Sequence, residues 1–116
     1  VLVNANEKPF MQRYHRDRDL APRDVVARAV EAEHAAGRGA FLDARRAIGA
    51  DFAKKFPTVF AACQRAGIDP RDALMPVAPA AHYHMGGVMT DLDGRSSLEG
   101  LSAVGEVAST GVHGAN

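Results

Sequence analysis

The distribution of charge divides this chain into two parts that cannot fold in the same way. Residues 1–72 carry 13 of the 14 lysines and arginines and 10 of the 14 aspartates and glutamates, whereas residues 73–116 carry one and four. In the first part, apolar residues recur at helical spacing between the charged ones. The second part is nearly uncharged, rich in glycine and strand-like. We therefore predict an α+β fold, with several helices packed beside a small, mainly antiparallel sheet.

Length and composition limit the classes of protein to which the chain can belong. A chain of 116 residues with 47% hydrophobic composition can build one modest core. Its formal net charge is zero, which argues against a nucleic-acid partner. The single cysteine, Cys63, excludes an internal disulfide and is expected in the core. No apolar run approaches the length of a membrane span, so we expect a cytoplasmic protein with no membrane partner.

The clearest helix is predicted to begin at Ala21-Pro22-Arg23-Asp24. Proline suits the first helical position, and Asp24 complements the positive end of the helix dipole. Gly37 and Gly39 are natural stops. The apolar spacing predicts a buried face formed by Val25, Val26, Ala29, Val30 and either Glu33 or His34.

The remaining elements are expected to be short. In the first part we predict strands near residues 1–3 and 40–44, helices over residues 48–56 and 58–66 that break at Pro57, and a turn over 69–72. In the second part we predict strands over residues 88–90, 95–97 and 101–107, the last of them buried, with turns over 91–94 and 97–100.

The stretch 76–91 gathers chemically capable side chains beside a glycine pair. His82 and His84 would share one face of a strand and could bind a metal, but no cysteine or carboxylate lies at a supporting spacing. One packed and one solvated histidine is the plain structural interpretation. The third interpretation is a ligand site in which an imidazole donates to a substrate carboxylate. Gly86 and Gly87 would allow a sharp turn or the close approach of a flat ligand.

Arg23 is in an unusual place for a cation, because the helix dipole disfavours positive charge in the first turn. Two interpretations are open at this point. Arg23 is either an exposed side chain paired with Asp24 or with the charged loop before the helix, or a functional group. The Asp91-Leu92-Asp93-Gly94 motif is expected to be a turn, because the rest of a calcium-binding loop is missing.

Several motifs, in this order and separation, resemble one family. PRDVVARA (residues 22–29), HYHMGG (82–87) and GEVASTGVHGAN (105–116) resemble the flavoprotein family of L-aspartate oxidase and of the flavoprotein subunits of succinate dehydrogenase and fumarate reductase. The resemblance covers essentially the whole chain. PAAHY (79–83) and GEVASTGVHGAN are closer to the L-aspartate oxidase branch.

The resemblance implies a cofactor, a substrate and three site residues. Arg23 would be the proton donor or acceptor beside the substrate, His82 would bind a substrate carboxylate, and Glu106 would contact FAD. No metal is implied. The implied reaction oxidises the dicarboxylate L-aspartate to iminoaspartate, which feeds quinolinate and NAD synthesis, so enzymes of that pathway are candidate partners. Residues 1–90 would belong to a substrate-capping domain and residues 91–116 to a segment that returns to the FAD-binding domain.

Two other interpretations remain. The chain could be the equivalent segment of a succinate dehydrogenase or fumarate reductase flavoprotein, or a non-catalytic interaction domain that kept the fold and lost the site.

The 116-residue chain by itself is predicted to neither bind FAD tightly nor turn over, because the family's N-terminal FAD-binding strand–turn–helix is not in the sequence. Apolar surface around residues 101–112 would then be uncovered, so the chain alone should self-associate. A yellow purified chain with stoichiometric flavin contradicts the first expectation. A sedimentation series that stays monomeric at every concentration contradicts the second.

Overall fold

The computed structural model describes residues 1–81 and 86–112. The chain divides into two compact units, Val1–Pro79 (unit 1) and Ala80–Asn116 (unit 2). In the described ranges, every helix is too short or too polar to cross a bilayer. Unit 1 contains α1 (Arg23–Ala35), α2 (Phe52–Lys55), α3 (Pro57–Arg65) and the two-residue strands β1 (Leu2–Val3), β2 (Phe41–Leu42) and β3 (Met75–Pro76). The predicted α+β fold is confirmed.

The sheet of unit 1 is small and antiparallel, with β2 between β1 and β3. Leu42 lies opposite Leu2 on one side and Met75 on the other. The strands near residues 1–3 and 40–44 were predicted, but β3 was not, because its second residue is a proline. Pro76 is tolerated because β3 is an edge strand, where the missing N–H removes no ladder hydrogen bond on the open side.

Helix α1 begins one residue later than predicted. Pro22 has an extended backbone (φ −48°, ψ 141°) and precedes the helix, and Arg23 is the first helical residue. The predicted buried face is confirmed at Ala29, Val30 and Glu33, whereas His34 is exposed. This face packs into a core formed by Phe10, Met11, Ala21, Ala29, Val30 and Ala40.

A second core lies under α2 and α3. The chain breaks between these helices as predicted, and Pro57 is the first residue of α3, where its missing N–H has no intrahelical partner to lose. Cys63 is half-buried against this core, which is built on Ala44, Phe52 and Met75. Unit 1 is therefore held by two small apolar clusters.

Unit 2 is built from turns and single bridges in its described residues. The predicted turn over 91–94 is confirmed, since the Asp91 N–H donates to the Arg95 carbonyl at 3.0 Å and Thr90 bridges Ser96. The predicted strands over 88–90 and 95–97 are reduced to isolated bridges, among them a parallel one between Val88 and Ala108. Runs this short form few ladder hydrogen bonds.

The prediction of a buried strand over residues 101–107 is wrong. Leu101, Val104 and Val107 are 44%, 75% and 59% exposed. Only one residue of the run, Ser102, forms a bridge, and the chain then turns into a 3₁₀-helix (Gly105–Val107). Apolar composition alone suggested burial, but the run has no partner strand along its length in the described part of unit 2.

A buried carboxylate joins α1 to two other segments of unit 1. Glu33 is fully buried and accepts hydrogen bonds from Arg13 Nη2 and Tyr14 Oη, both at 2.6 Å, and from Arg38 Nε at 2.8 Å. A buried charge is tolerated only when it is paired and hydrogen-bonded, as it is here. These contacts fix α1 against the segment before it and the turn after it.

The pKa values record this pairing. Hydrogen bonding to Arg38, with Tyr14 and Arg13 contributing, lowers the pKa of Glu33 from 4.5 to about 2, against the opposing effect of burial. The neighbouring Glu33 carboxylate raises the pKa of Tyr14. A carboxylate whose pKa is lowered on folding stabilises the protein above its ordinary pKa, and this contribution is lost as pH falls towards the folded value.

Acid should therefore weaken unit 1 through Glu33. We expect the stability contribution of Glu33 to be complete above its ordinary pKa of 4.5 and to be lost as pH falls towards 2. Glu33→Gln, which keeps the volume but removes the charge, should cost about 2–4 kcal/mol at neutral pH. It should also flatten the acid limb of a plot of urea-unfolding free energy against pH.

The unfolding free energy of Glu33→Gln must be subtracted from that of wild type at each pH, because Asp43 also has its pKa lowered to about 2, chiefly by Arg45. Asp43 titrates in both proteins and cancels in the difference. A difference between wild type and Glu33→Gln that does not change with pH would contradict the proposed linkage.

Gly87 of the glycine pair allows a close backbone approach within unit 2. Its φ is 111°, and a Cβ there would lie 2.3 Å from the Val107 carbonyl oxygen. That oxygen accepts from the Val88 N–H at 2.9 Å, and the Ser109 N–H donates to the Val88 carbonyl at 2.8 Å. Backbone of the same unit therefore occupies the space that the missing side chain leaves.

Gly87→Ala should be more destabilising than Gly100→Ala. Both glycines have positive φ, but nothing lies within 4 Å of a Cβ at Gly100. The control should cost about 1 kcal/mol from backbone strain alone. Gly87→Ala should cost about 2 kcal/mol more, because the Val107 carbonyl must move. Equal melting temperatures for the two variants would show that the close approach is not required.

Candidate functional site

Arg23 lies at the start of α1, and its exposed side chain folds back onto the chain before the helix. Its Nη2 donates to the main-chain oxygens of Asp19, at 2.8 Å, and Ala21, at 2.7 Å. The predicted pairing with the preceding loop is therefore correct, although the acceptors are carbonyl oxygens. The alternative pairing with Asp24 is wrong, because the Asp24 carboxylate contacts Arg28 at 2.8 Å. That contact with Arg28 lowers the pKa of Asp24.

The charge of Arg23 is held differently from that of most arginines in unit 1. Six of them contact carboxylates within 4.0 Å: Arg13, Arg16, Arg28, Arg38, Arg45 and Arg71. Among the described residues, Arg23 has no such contact. Two carbonyl oxygens orient the guanidinium without neutralising it, so a bound anion would meet a full positive charge.

His82 lies outside the described residues, together with Tyr83, His84 and Met85, so its role stays a prediction. The segment that leads to it is well anchored within unit 1. Val77 donates its N–H to the Ala40 carbonyl at 3.1 Å, and its own carbonyl lies 2.7 Å from His34 Nε2. A carbonyl can only accept, so this nitrogen of His34 carries the hydrogen.

The contact of His34 is one that sequence reasoning missed. Its spacing made it the alternative to Glu33 on the buried face of α1, and 43 residues separate it from its actual partner, Val77. No periodic signal links two positions so far apart, so only the folded chain reveals the pairing.

Glu106 is exposed in the 3₁₀-helix Gly105–Val107 of unit 2. A carboxylate there can accept hydrogen bonds from the hydroxyl groups of a nucleotide cofactor. Val104 and Val107 lie close to it in the sequence, and their exposed side chains offer an apolar surface that a flat ring system could cover. The site therefore offers a hydrogen-bond acceptor and an apolar surface, which are the two kinds of contact that FAD would need. Arg23 belongs to unit 1 and Glu106 to unit 2.

The acidic motif over residues 91–94 forms and stabilises a turn. Asp91 Oδ1 accepts from the N–H groups of Asp93 and Arg95, both at 2.9 Å, which is the geometry of a side-chain-stabilised turn. Across residues 1–81 and 86–112, three or more histidine, cysteine or carboxylate side chains never converge as a metal site would require.

Three known proteins with the same name match this chain along its whole length. An L-aspartate oxidase of Caulobacter vibrioides is 67% identical over 116 residues, all of this chain and 23% of that protein. One of Rhodospirillum rubrum is 60% identical over 116 residues, which cover 42% of it. One of Xylella fastidiosa is 53% identical over 116 residues, which cover 22% of it. The chain therefore spans between about a fifth and two-fifths of the length of these curated relatives.

The family match agrees with the resemblance predicted from the motifs. Residues 1–116 match the family described as FAD binding domain, so the expected flavoprotein membership is confirmed. The motif-based preference for the L-aspartate oxidase branch agrees with the names of these three relatives. The chain belongs to the FAD binding domain family.

Proposed function

We propose that this chain is the substrate-capping part of an FAD-dependent L-aspartate oxidase. Residues 1–90 would form the capping domain, and residues 91–116 would return towards the FAD-binding domain. The observation that carries the proposal is the guanidinium of Arg23, which two carbonyl oxygens orient and no described carboxylate neutralises. Relatives with this name that are 53–67% identical over the whole chain support the choice of enzyme.

The substrate chemistry needs the kind of group that Arg23 provides. Aspartate carries two carboxylates, and planar guanidinium groups bind carboxylates with well-defined geometry. Oxidation to iminoaspartate removes a hydride from Cα and a proton from the amino group. Arg23 would be the proton donor or acceptor beside the substrate, taking up the amino proton only in its deprotonated form, while His82 would donate to a substrate carboxylate.

FAD, when bound, supplies the acceptor for the hydride. Glu106 would hold the cofactor by accepting hydrogen bonds from its hydroxyl groups, and Val104 and Val107 would cover its apolar faces. These residues bind and orient the cofactor and take no part in proton transfer. In this proposal the acid–base residue belongs to unit 1 and the residues that contact the cofactor belong to unit 2.

The wider setting follows from the same proposal. Iminoaspartate is the precursor of quinolinate, so the enzyme would serve NAD synthesis in the cytoplasm and could meet the quinolinate-forming enzyme. Neither a nucleic acid nor a membrane is proposed as a partner. Self-association of the isolated chain stays a prediction that rests on the exposed apolar side chains around residues 101–112.

Arg23→Lys should separate catalysis from cofactor binding in the full-length holoenzyme. Lysine keeps the positive charge but cannot reach both carbonyl oxygens with one planar group. We expect the rate of anaerobic flavin reduction by L-aspartate to fall by about 10²–10⁴-fold with unchanged flavin content. Arg28→Lys, further along α1, is the matched control and should retain the wild-type rate.

Two results would contradict parts of the proposal. Loss of flavin before loss of rate in Arg23→Lys would exclude the proton-transfer role. Reduction of the wild-type flavin by succinate in preference to L-aspartate would indicate a dehydrogenase or reductase subunit instead.

His82→Ala tests the second substrate contact separately, and it should raise KM for L-aspartate more than it lowers kcat.

A further inference from the structure

The turn before α1 is strained, and its strain is maintained by specific contacts. Arg18 has a left-handed φ of 52°, which costs a residue with a side chain about 1 kcal/mol. It begins the 3₁₀-helix Arg18–Leu20, which is closed by hydrogen bonds from Leu20 to Asp17 and from Ala21 to Arg18, both at 3.0 Å. A strained turn persists only where its surroundings determine its conformation, so the contacts that hold it are informative.

Asp19 makes two of these contacts, one with its side chain and one with its main chain. Its carboxylate Oδ1 accepts from the Leu2 N–H of β1 at 3.3 Å. Its main-chain oxygen accepts from Arg23 Nη2 at 2.8 Å. A single residue therefore connects the sheet of unit 1 to the guanidinium of Arg23.

Ala21 completes the arrangement from the other side. It is 1% exposed, packs in the first core, and its carbonyl accepts from the same Nη2 at 2.7 Å. Two acceptors on one planar nitrogen fix the plane of the guanidinium. Among the described residues, Nη1 and Nε of Arg23 have no acceptor, so the oriented edge is available to a ligand.

We propose that Asp19 is a positioning residue that sets the orientation of Arg23 for the reaction. The proposal rests on the proposed function, in which Arg23 acts on the substrate. The carboxylate of Asp19 ties the turn to β1, and the carbonyl oxygens of Asp19 and Ala21 then hold the guanidinium. Without the carboxylate the turn keeps its own hydrogen bonds and the packing of Ala21 but loses its contact with β1, so the strain at Arg18 is less well opposed and Arg23 is oriented less precisely. A displacement of about 1 Å at a reacting group can cost about 100-fold in rate.

The test uses the full-length holoenzyme and measures anaerobic flavin reduction by L-aspartate, with the rate expressed per bound flavin. Asp19→Ala removes the acceptor for Leu2 and should lower this rate about 10–100-fold. Asp19→Asn keeps an oxygen acceptor and should retain most of the rate. Asp17→Ala is the matched control, since that carboxylate contacts only His15 and Arg16 among the described residues, and its rate should equal that of wild type.

A double-mutant cycle distinguishes positioning from a general structural effect. If Asp19 acts through Arg23, Asp19→Ala should slow the Arg23→Lys enzyme no further. A loss of folded protein alone would lower flavin content and leave the rate per flavin unchanged, which would overturn the proposal. If Asp19→Ala does not fold, Asp19→Ser has a shorter side chain that favours turns, and it should show the same loss of rate.

The outcomes also separate this inference from the proposed function. A slow Arg23→Lys enzyme with an Asp19→Ala enzyme at the wild-type rate would overturn the role of Asp19 alone. Additive losses in the double mutant would overturn it as well, because they would show that Asp19 acts independently of Arg23. An Arg23→Lys enzyme at the wild-type rate would overturn both.

Discussion

The buried carboxylate of Glu33 is the interaction on which the arrangement of unit 1 depends. Its four hydrogen bonds come from Arg13, Tyr14 and Arg38, so one side chain holds α1 to the segment before it and to the turn after it. A buried charge with these partners removed would be strongly unfavourable, so the burial of Glu33 depends on these contacts. The consequence is a helix with a defined position at the end opposite to Arg23.

The N-terminal end of α1 is held by a different kind of contact. There the chain uses main-chain oxygens and a strained turn, and it leaves the positive charge of Arg23 without a carboxylate among the described residues. At one end of α1 the cations are paired with a carboxylate, and at the other end the cation is not. The neutralised cations near Glu33 serve the fold, and the unneutralised cation at Arg23 remains able to bind an anion.

Unit 2 depends on backbone contacts more than on a core. Ala103 and Ala108 are its buried apolar residues in the described ranges, and the close approach of Gly87 to the Val107 carbonyl joins its two halves. Exposed aliphatic side chains on such a unit are typical of a surface that packs against something else. This agrees with a chain that spans only part of the length of its relatives.

The sequence by itself determined the fold class, the buried face of α1 and its start to within one residue, the break at Pro57 and the turn over residues 91–94, because each rests on a local rule of periodicity or turn chemistry. Its motifs also identified the family and singled out Arg23. Only the tertiary structure decided that Leu101, Val104 and Val107 are exposed, that Met75–Pro76 forms a strand, and that Asp19, Ala21 and His34 make the contacts around the helix. These features depend on which distant segments meet, and local pattern contains no information about partners 17 or 43 residues away.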